Sequence, residues 1–191
     1  VPRVVEALSA TTSLTDTSVA SLLSLLVDHR AELPYHRRRE VFLNLFQDNK
    51  LGEQHLAGVV ALLVAADGEA AFPFLYDVVS AMPNERLIRL LAYIVANADE
   101  LLQSRSKDFA SYHAKVRDTG AVARACLSFV NGQIVKPEFV ARCVREGEDL
   151  NTQQSYTLLF KRVIEMLNVF EAQADVAATL HDMVDNIADL F

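Results

Sequence analysis

The stretch HRRREVFLNLF, His36 to Phe46, sets three consecutive arginines at the head of an apolar segment that begins just after Pro34. Val41, Phe42, Leu45 and Phe46 fall at the spacing that lines one face of an α-helix. A helix over 35–47 is therefore expected, with Pro34 ending the one before it.

The same signature recurs on both sides. Upstream, Thr15 and Asp16 offer N-cap chemistry to a helix whose stripe is Val19, Leu22, Leu23, Leu26 and Val27. Downstream, Leu56, Val59, Val60, Leu63 and Val64 repeat the pattern, and Asp67-Gly68 is a turn signal. Phe72, Leu75, Val78, Val79 and Met82 follow, with Pro73 placed in a first turn where its missing N–H costs little. The longest apolar segment carries Leu87, Leu90, Leu91, Ile94, Val95, Leu101 and Leu102; Ile88 and Tyr93 widen its stripe, so both its sides should be covered.

Residues 103–108 turn polar and read as a soft joint. Beyond it, Phe109, Tyr112 and Val116 mark a short helix that Asp118-Thr119-Gly120 breaks. AVARACLSFV, 121–130, makes the next, expected to end at Asn131-Gly132. Lys136-Pro137 opens another, with Phe139, Val140, Cys143 and Val144 inward. Two more follow, on Tyr156, Leu159, Phe160, Val163, Ile164 and Leu167, and on Val176, Leu180, Met183, Val184, Ile187 and Leu190. No segment shows strand alternation. The expectation is an all-α fold: about ten helices stacked as antiparallel pairs, a degenerate helical repeat of the HEAT or TPR kind in a single domain over 1–191.

Composition narrows function by exclusion. A 51% hydrophobic, 23% charged chain is globular, and a net charge of −7 disfavours generic nucleic-acid binding. No uncharged run reaches the roughly 18–20 residues that span a bilayer, and the start has no secretory h-region. Opening on Val1, the chain reads as a fragment of a longer protein. Cys126 and Cys143 each lie on an apolar face and read as reduced core thiols of a cytoplasmic protein. His29, His36, His55, His113 and His181 form no ligand motif, and no phosphate-cradling or nucleophile-elbow motif occurs. No cofactor, metal, catalytic residue, membrane or small-molecule substrate is expected, and an enzyme is not expected.

Charge is uneven. Residues 51–100 hold two arginines against seven acids, whereas 101–150 hold eight bases against six acids. Arg37, Arg38 and Arg39 step round the helix by about 100° each, so at most two share an exposed face. Three readings stand for them: solvated charge partly paired with Glu40 and Glu32, contact with an acidic neighbouring subunit, or a peripheral contact with RNA phosphates. Asp182, Asp185 and Asp189 form an acidic stripe opposite the apolar face of the last helix, either solvated or meeting a basic partner. Phe191, where the chain stops without a polar cap, is a further contact candidate, as are Tyr35, Phe72 and Phe74.

RRREVFLNLF resembles a helix of PCI-domain proteins, as found among translation initiation factor subunits. LLSLLVDHRAELP (Leu22 to Pro34), VARACLSFVNGQIVKPEFVARCV (Val122 to Val144) and SYTLLFKRVIEML (Ser155 to Leu167) resemble further stretches of that family in the same order. The resemblance covers roughly 16–170. It implies a crescent of helix pairs capped by a winged-helix module that assembles with other subunits, and no such module follows before Phe191. The function expected is a non-catalytic scaffold subunit of a multisubunit complex, which the resemblance places in translation initiation; the alternatives are a HEAT- or armadillo-type adaptor of an RNA-decay or trafficking complex and, from another class, a helical ligand-binding protein or enzyme.

Overall fold

The computed structural model describes residues 1–103, 107–138, 141 and 150–190. Helices α1 (Pro2–Ser9), α2 (Asp16–Asp28), α3 (Tyr35–Gln47), α4 (Glu53–Asp67), α5 (Phe72–Val79), α6 (Asn84–Gln103), α7 (Ala110–His113), α8 (Thr119–Ile134), α9 (Leu150–Phe170) and α10 (Ala174–Ala188) follow one another. No strand occurs among the described residues. The fold is all-α, as the spacing predicts.

Local chemistry sets the helix ends. Thr15 Oγ1 accepts the Ser18 N–H at 3.3 Å and starts α2; Asp118 Oδ1 accepts the Ala121 N–H at 2.9 Å and starts α8. Gly68 stops α4 at φ 59°, a conformation open to glycine and strained for other residues. A 3₁₀ turn over Gly68–Ala71 then leads into α5, with proline in its first turn.

Packing centres on α4 and α6. Every residue of α4 from His55 to Val64 is buried, because the helix packs against α2, α6, α7 and α8. The stripe read from the sequence named only its bulky half; Ala57, Gly58 and Ala61 line the other side and let neighbours approach closely. In α6, Leu87, Ile88, Leu90, Leu91 and Val95 are wholly buried against α4, α8 and α9, so both sides are covered as expected. Each such side chain removed from water contributes about 1.5–3 kcal/mol. Around this centre α10 packs on α8 and α9, α3 on α5, and α1 on α2.

The expectation that no uncharged run reaches the length of a bilayer span stands, since the longest uncharged stretch is 54–66. Glu53–Val79, which includes four acids, is long and apolar enough to cross a membrane by length and composition only, its 18-residue window having a mean hydropathy of 1.6. Here α4 ends at Gly68 within that run, and half of the window is enclosed by protein. One reading is revised: Asn131-Gly132 does not end a helix, and α8 continues to Ile134. Gly132 is a clearance residue, since a Cβ there would stand 2.1 Å from Tyr76 Oη. The helix expected from Lys136-Pro137, with Phe139, Val140, Cys143 and Val144, lies largely outside the described residues.

Arg86 holds the α3–α4 turn. Its guanidinium, 6% exposed, donates to Asn49 Oδ1 at 3.0 Å and to the Leu51 carbonyl at 2.9 Å. Burial lowers its pKa. Next to the polar 103–108 stretch, the Tyr93 hydroxyl donates to Asp108 Oδ2 at 3.1 Å and Phe109 is buried, while residues 104–106 lie outside the described set.

Candidate functional site

The three arginines at the head of α3 diverge, as the helical step requires, and each meets a different fate. Arg37 Nη1 donates to Glu40 Oε2 at 2.6 Å, one turn along on the open surface. Arg39 crosses to α5, where its Nε and Nη2 donate to Asp77 Oδ2 and Oδ1 at 2.5 and 3.0 Å. This bidentate bond holds the Asp77 carboxyl below the usual aspartate range and raises the Arg39 guanidinium. Arg38 pairs with no carboxylate among the described residues. Its guanidinium carbon lies 5.4 Å from the Tyr35 ring centroid and 5.1 Å from that of Phe74. Its Nε is buried without an acceptor.

Beneath it, an aromatic ladder connects surface to core. Phe42, fully buried, meets Phe74 edge to face at 5.4 Å; Phe74 meets Tyr35 edge to face at 6.2 Å. Tyr35 itself is 56% exposed. Sequence reading named Arg37, Arg38 and Arg39 together with Tyr35 and Phe74 separately, and the fold brings them to one face because α5 packs on α3. Glu32, the other suggested arginine partner, accepts from no arginine among the described residues; it lies 2.6 Å from His29 Nδ1, and that hydrogen bond lowers its pKa.

Alongside is a cleft of about 460 Å³ between α5 and the end of α8, lined by Pro73, Tyr76, Asp77, Ser80, Gln133, Lys136 and Glu138. Tyr76 stacks on Phe129 at 5.2 Å, Lys136 Nζ stands 3.6 Å above the Tyr76 ring, and burial lowers the Lys136 pKa and raises that of Tyr76. Gln133 is 3% exposed and its Oε1 has no partner among the described residues. No pattern in the sequence marks Asp77 or Gln133, and Lys136 reads there only as the opening of a helix. Asp77 is 38 residues from Arg39, and no periodic signal couples them.

The acidic stripe lies elsewhere. Asp182, Asp185 and Asp189 are exposed and form no ion pair among the described residues, while Val176, Leu180, Met183 and Ile187 face inward. Phe191 lies outside the described residues. The two sets of charges are thus both found at the surface, and only the arginine set has an aromatic platform.

His55 and Cys126 lie in the core. His55 is buried, with Nδ1 3.1 Å from Tyr112 Oη and Nε2 3.3 Å from Asp16 Oδ1. Burial raises the Tyr112 pKa and pushes the Cys126 thiol up to about 12, so that thiol stays protonated. Cys143 lies outside the described residues. No group of three or more His, Cys, Asp or Glu suited to a metal occurs among the described residues. No family model matches the chain, and no curated protein or solved structure matches it.

Proposed function

We propose that this protein is a non-catalytic helical scaffold that binds another protein through the α3–α5 face. One observation carries the reading: Tyr35, more than half exposed, is held edge-on by Phe74 with Arg38 stacked across both rings. Tyrosine and arginine are the residue types that dominate interface hot spots, and a ring fixed by its neighbours loses little entropy on binding. The clefts around the described surface are open and share no cluster of buried acids and bases, which favours a contact surface over an active site. The PCI resemblance extends the proposal to a cytoplasmic subunit of a multisubunit assembly in translation initiation.

Affinity purification of the protein from its own cells, followed by mass spectrometry, tests this. A retained set of proteins that disappears with Tyr35→Ala is the expected result; initiation-factor subunits in that set support the finer assignment. Retention of nothing, or of the same set by the variant, overturns the proposed face.

A further inference from the structure

We infer that the occupant of this face is an acidic segment of the partner, one carboxylate of which pairs with Arg38; the inference rests on the scaffold reading above. Arginines on either side already have carboxylates, Glu40 for Arg37 and Asp77 for Arg39. Among the described residues Arg38 alone of the three lacks one, and its Nε–H is buried without an acceptor there. A guanidinium lying against two rings uses its faces for stacking and keeps its Nη edge for a planar acceptor. A carboxylate can meet that edge end-on through both Nη groups, whereas Asp77 takes Arg39 side-on through Nε and Nη2, the side that is buried in Arg38. Because the side chain is already immobilised by Tyr35 and Phe74, little rotamer freedom remains to be lost when the pair forms. The exposed Tyr35 ring beside it supplies the apolar half of the contact, so the fitting segment carries an aromatic or aliphatic side chain next to its acids.

Charge chemistry selects this occupant over RNA. Binding a phosphate backbone draws on several unpaired cations, and here two of the three arginines are neutralised by carboxylates at 2.6 and 2.5 Å. A single free guanidinium beside an exposed ring suits one carboxylate and one apolar anchor.

The test uses the full chain and a set of fluorescein-labelled dodecapeptides, each of Glu and Asp with one Phe or Leu at a varied position, read by fluorescence polarisation. At least one peptide is expected to bind; Arg38→Gln and Tyr35→Ala should each weaken it about tenfold or more, and Arg38→Lys, which keeps the charge without the fork, by less. In parallel, the side-chain Nε–Hε NMR signal of Arg38 in the unaltered protein should move on titration, which guards against a variant that fails to fold. Binding by none of the acidic peptides, or equally by their Gln and Asn counterparts, sinks the inference. So does tighter, Arg38-dependent binding of a single-stranded RNA dodecamer. A salt-sensitive dimer in sedimentation, lost in both Arg38→Gln and Asp185→Asn, would assign the face to a second copy instead. If purification from cells retains partners that depend on Tyr35 but not on Arg38, the scaffold reading survives and the acidic segment does not.

Discussion

Gly58 has no side chain, yet it decides how two distant parts of the chain meet. A Cβ there would stand 2.4 Å from Tyr112 Cε2 and Cζ, and that ring is held by the His55 bond at 3.1 Å. In a solvent-exposed helix, Gly→Ala gains about 1 kcal/mol of propensity. At this site overpacking opposes it by about 1–3 kcal/mol or more, since a caged ring cannot swing aside. Gly58→Ala should therefore lower the urea midpoint with an unchanged slope, and a rise in the midpoint would contradict the packing argument. Arg39 and Asp77 give a second expectation at this scale. The bidentate bond depresses the folded-state pKa of Asp77, so its stabilising effect is complete above the unfolded value near 3.8 and disappears only as pH falls through the lower folded value. Both partners are substantially exposed, so solvent screening keeps the effect small. Asp77→Asn should remove that increment at pH 7 and leave a variant whose stability differs less from the parent below pH 3; thermal melts at both pH values check this. None of this was legible in the sequence, which shows that Gly58 interrupts an apolar helix and nothing about the tyrosine 54 residues on.

At the scale of elements the sequence is far more informative, because helix faces and caps are local. Thr15 reads as an N-cap and is one, while Asp118 reads as part of a break and is in fact the N-cap of the helix that follows. Replacing Asp118 with Ala leaves the Ala121 N–H without its acceptor and should cost about 1 kcal/mol, measured by chemical denaturation. Gly132 shows the opposite failure: an Asn-Gly pair is a sound stop signal, but in α8 tertiary clearance for Tyr76 is what the glycine provides. The short α7 adds a pH dependence. His113 stacks on Phe109 at 6.2 Å, and burial lowers its pKa from the ordinary 6.5. The unfolded chain then binds the proton more readily, so this contribution is intact above pH 6.5 and is lost as pH falls from there to the folded value. Between pH 7.5 and 5.5 the parent should lose stability, and His113→Leu should lose less; equal losses would place the titrating group elsewhere.

For the whole molecule, sequence periodicity delivers an all-α chain but not the order in which helices meet. A simple array in which each helix pair touches only its neighbours can open from one end, because few contacts tie distant units together. This chain departs from that limit. α6 packs on α4, on α8 and on α9, and α4 in turn packs on α2, α7 and α8, so helices from both sides of the polar 103–108 stretch share the same buried surfaces. Lys115, beyond that stretch, pairs with Asp28 in α2, and Tyr112 bonds His55 in α4, tying the same two portions together at the surface and in the core. Opening either portion alone would strip water-excluded area from α4 and α6 that the other portion relies on. The expected outcome is one cooperative transition: urea unfolding followed by far-ultraviolet circular dichroism and by tyrosine fluorescence should give coincident curves. Hydrogen exchange should show the amides of His55–Val64 and Leu87–Val95 protected to the full unfolding free energy, with those of α1 exchanging through smaller openings. Two separated transitions would instead mean that the 103–108 stretch divides the chain into units that unfold independently, and the shared α4–α6 centre would then be too weak to couple them.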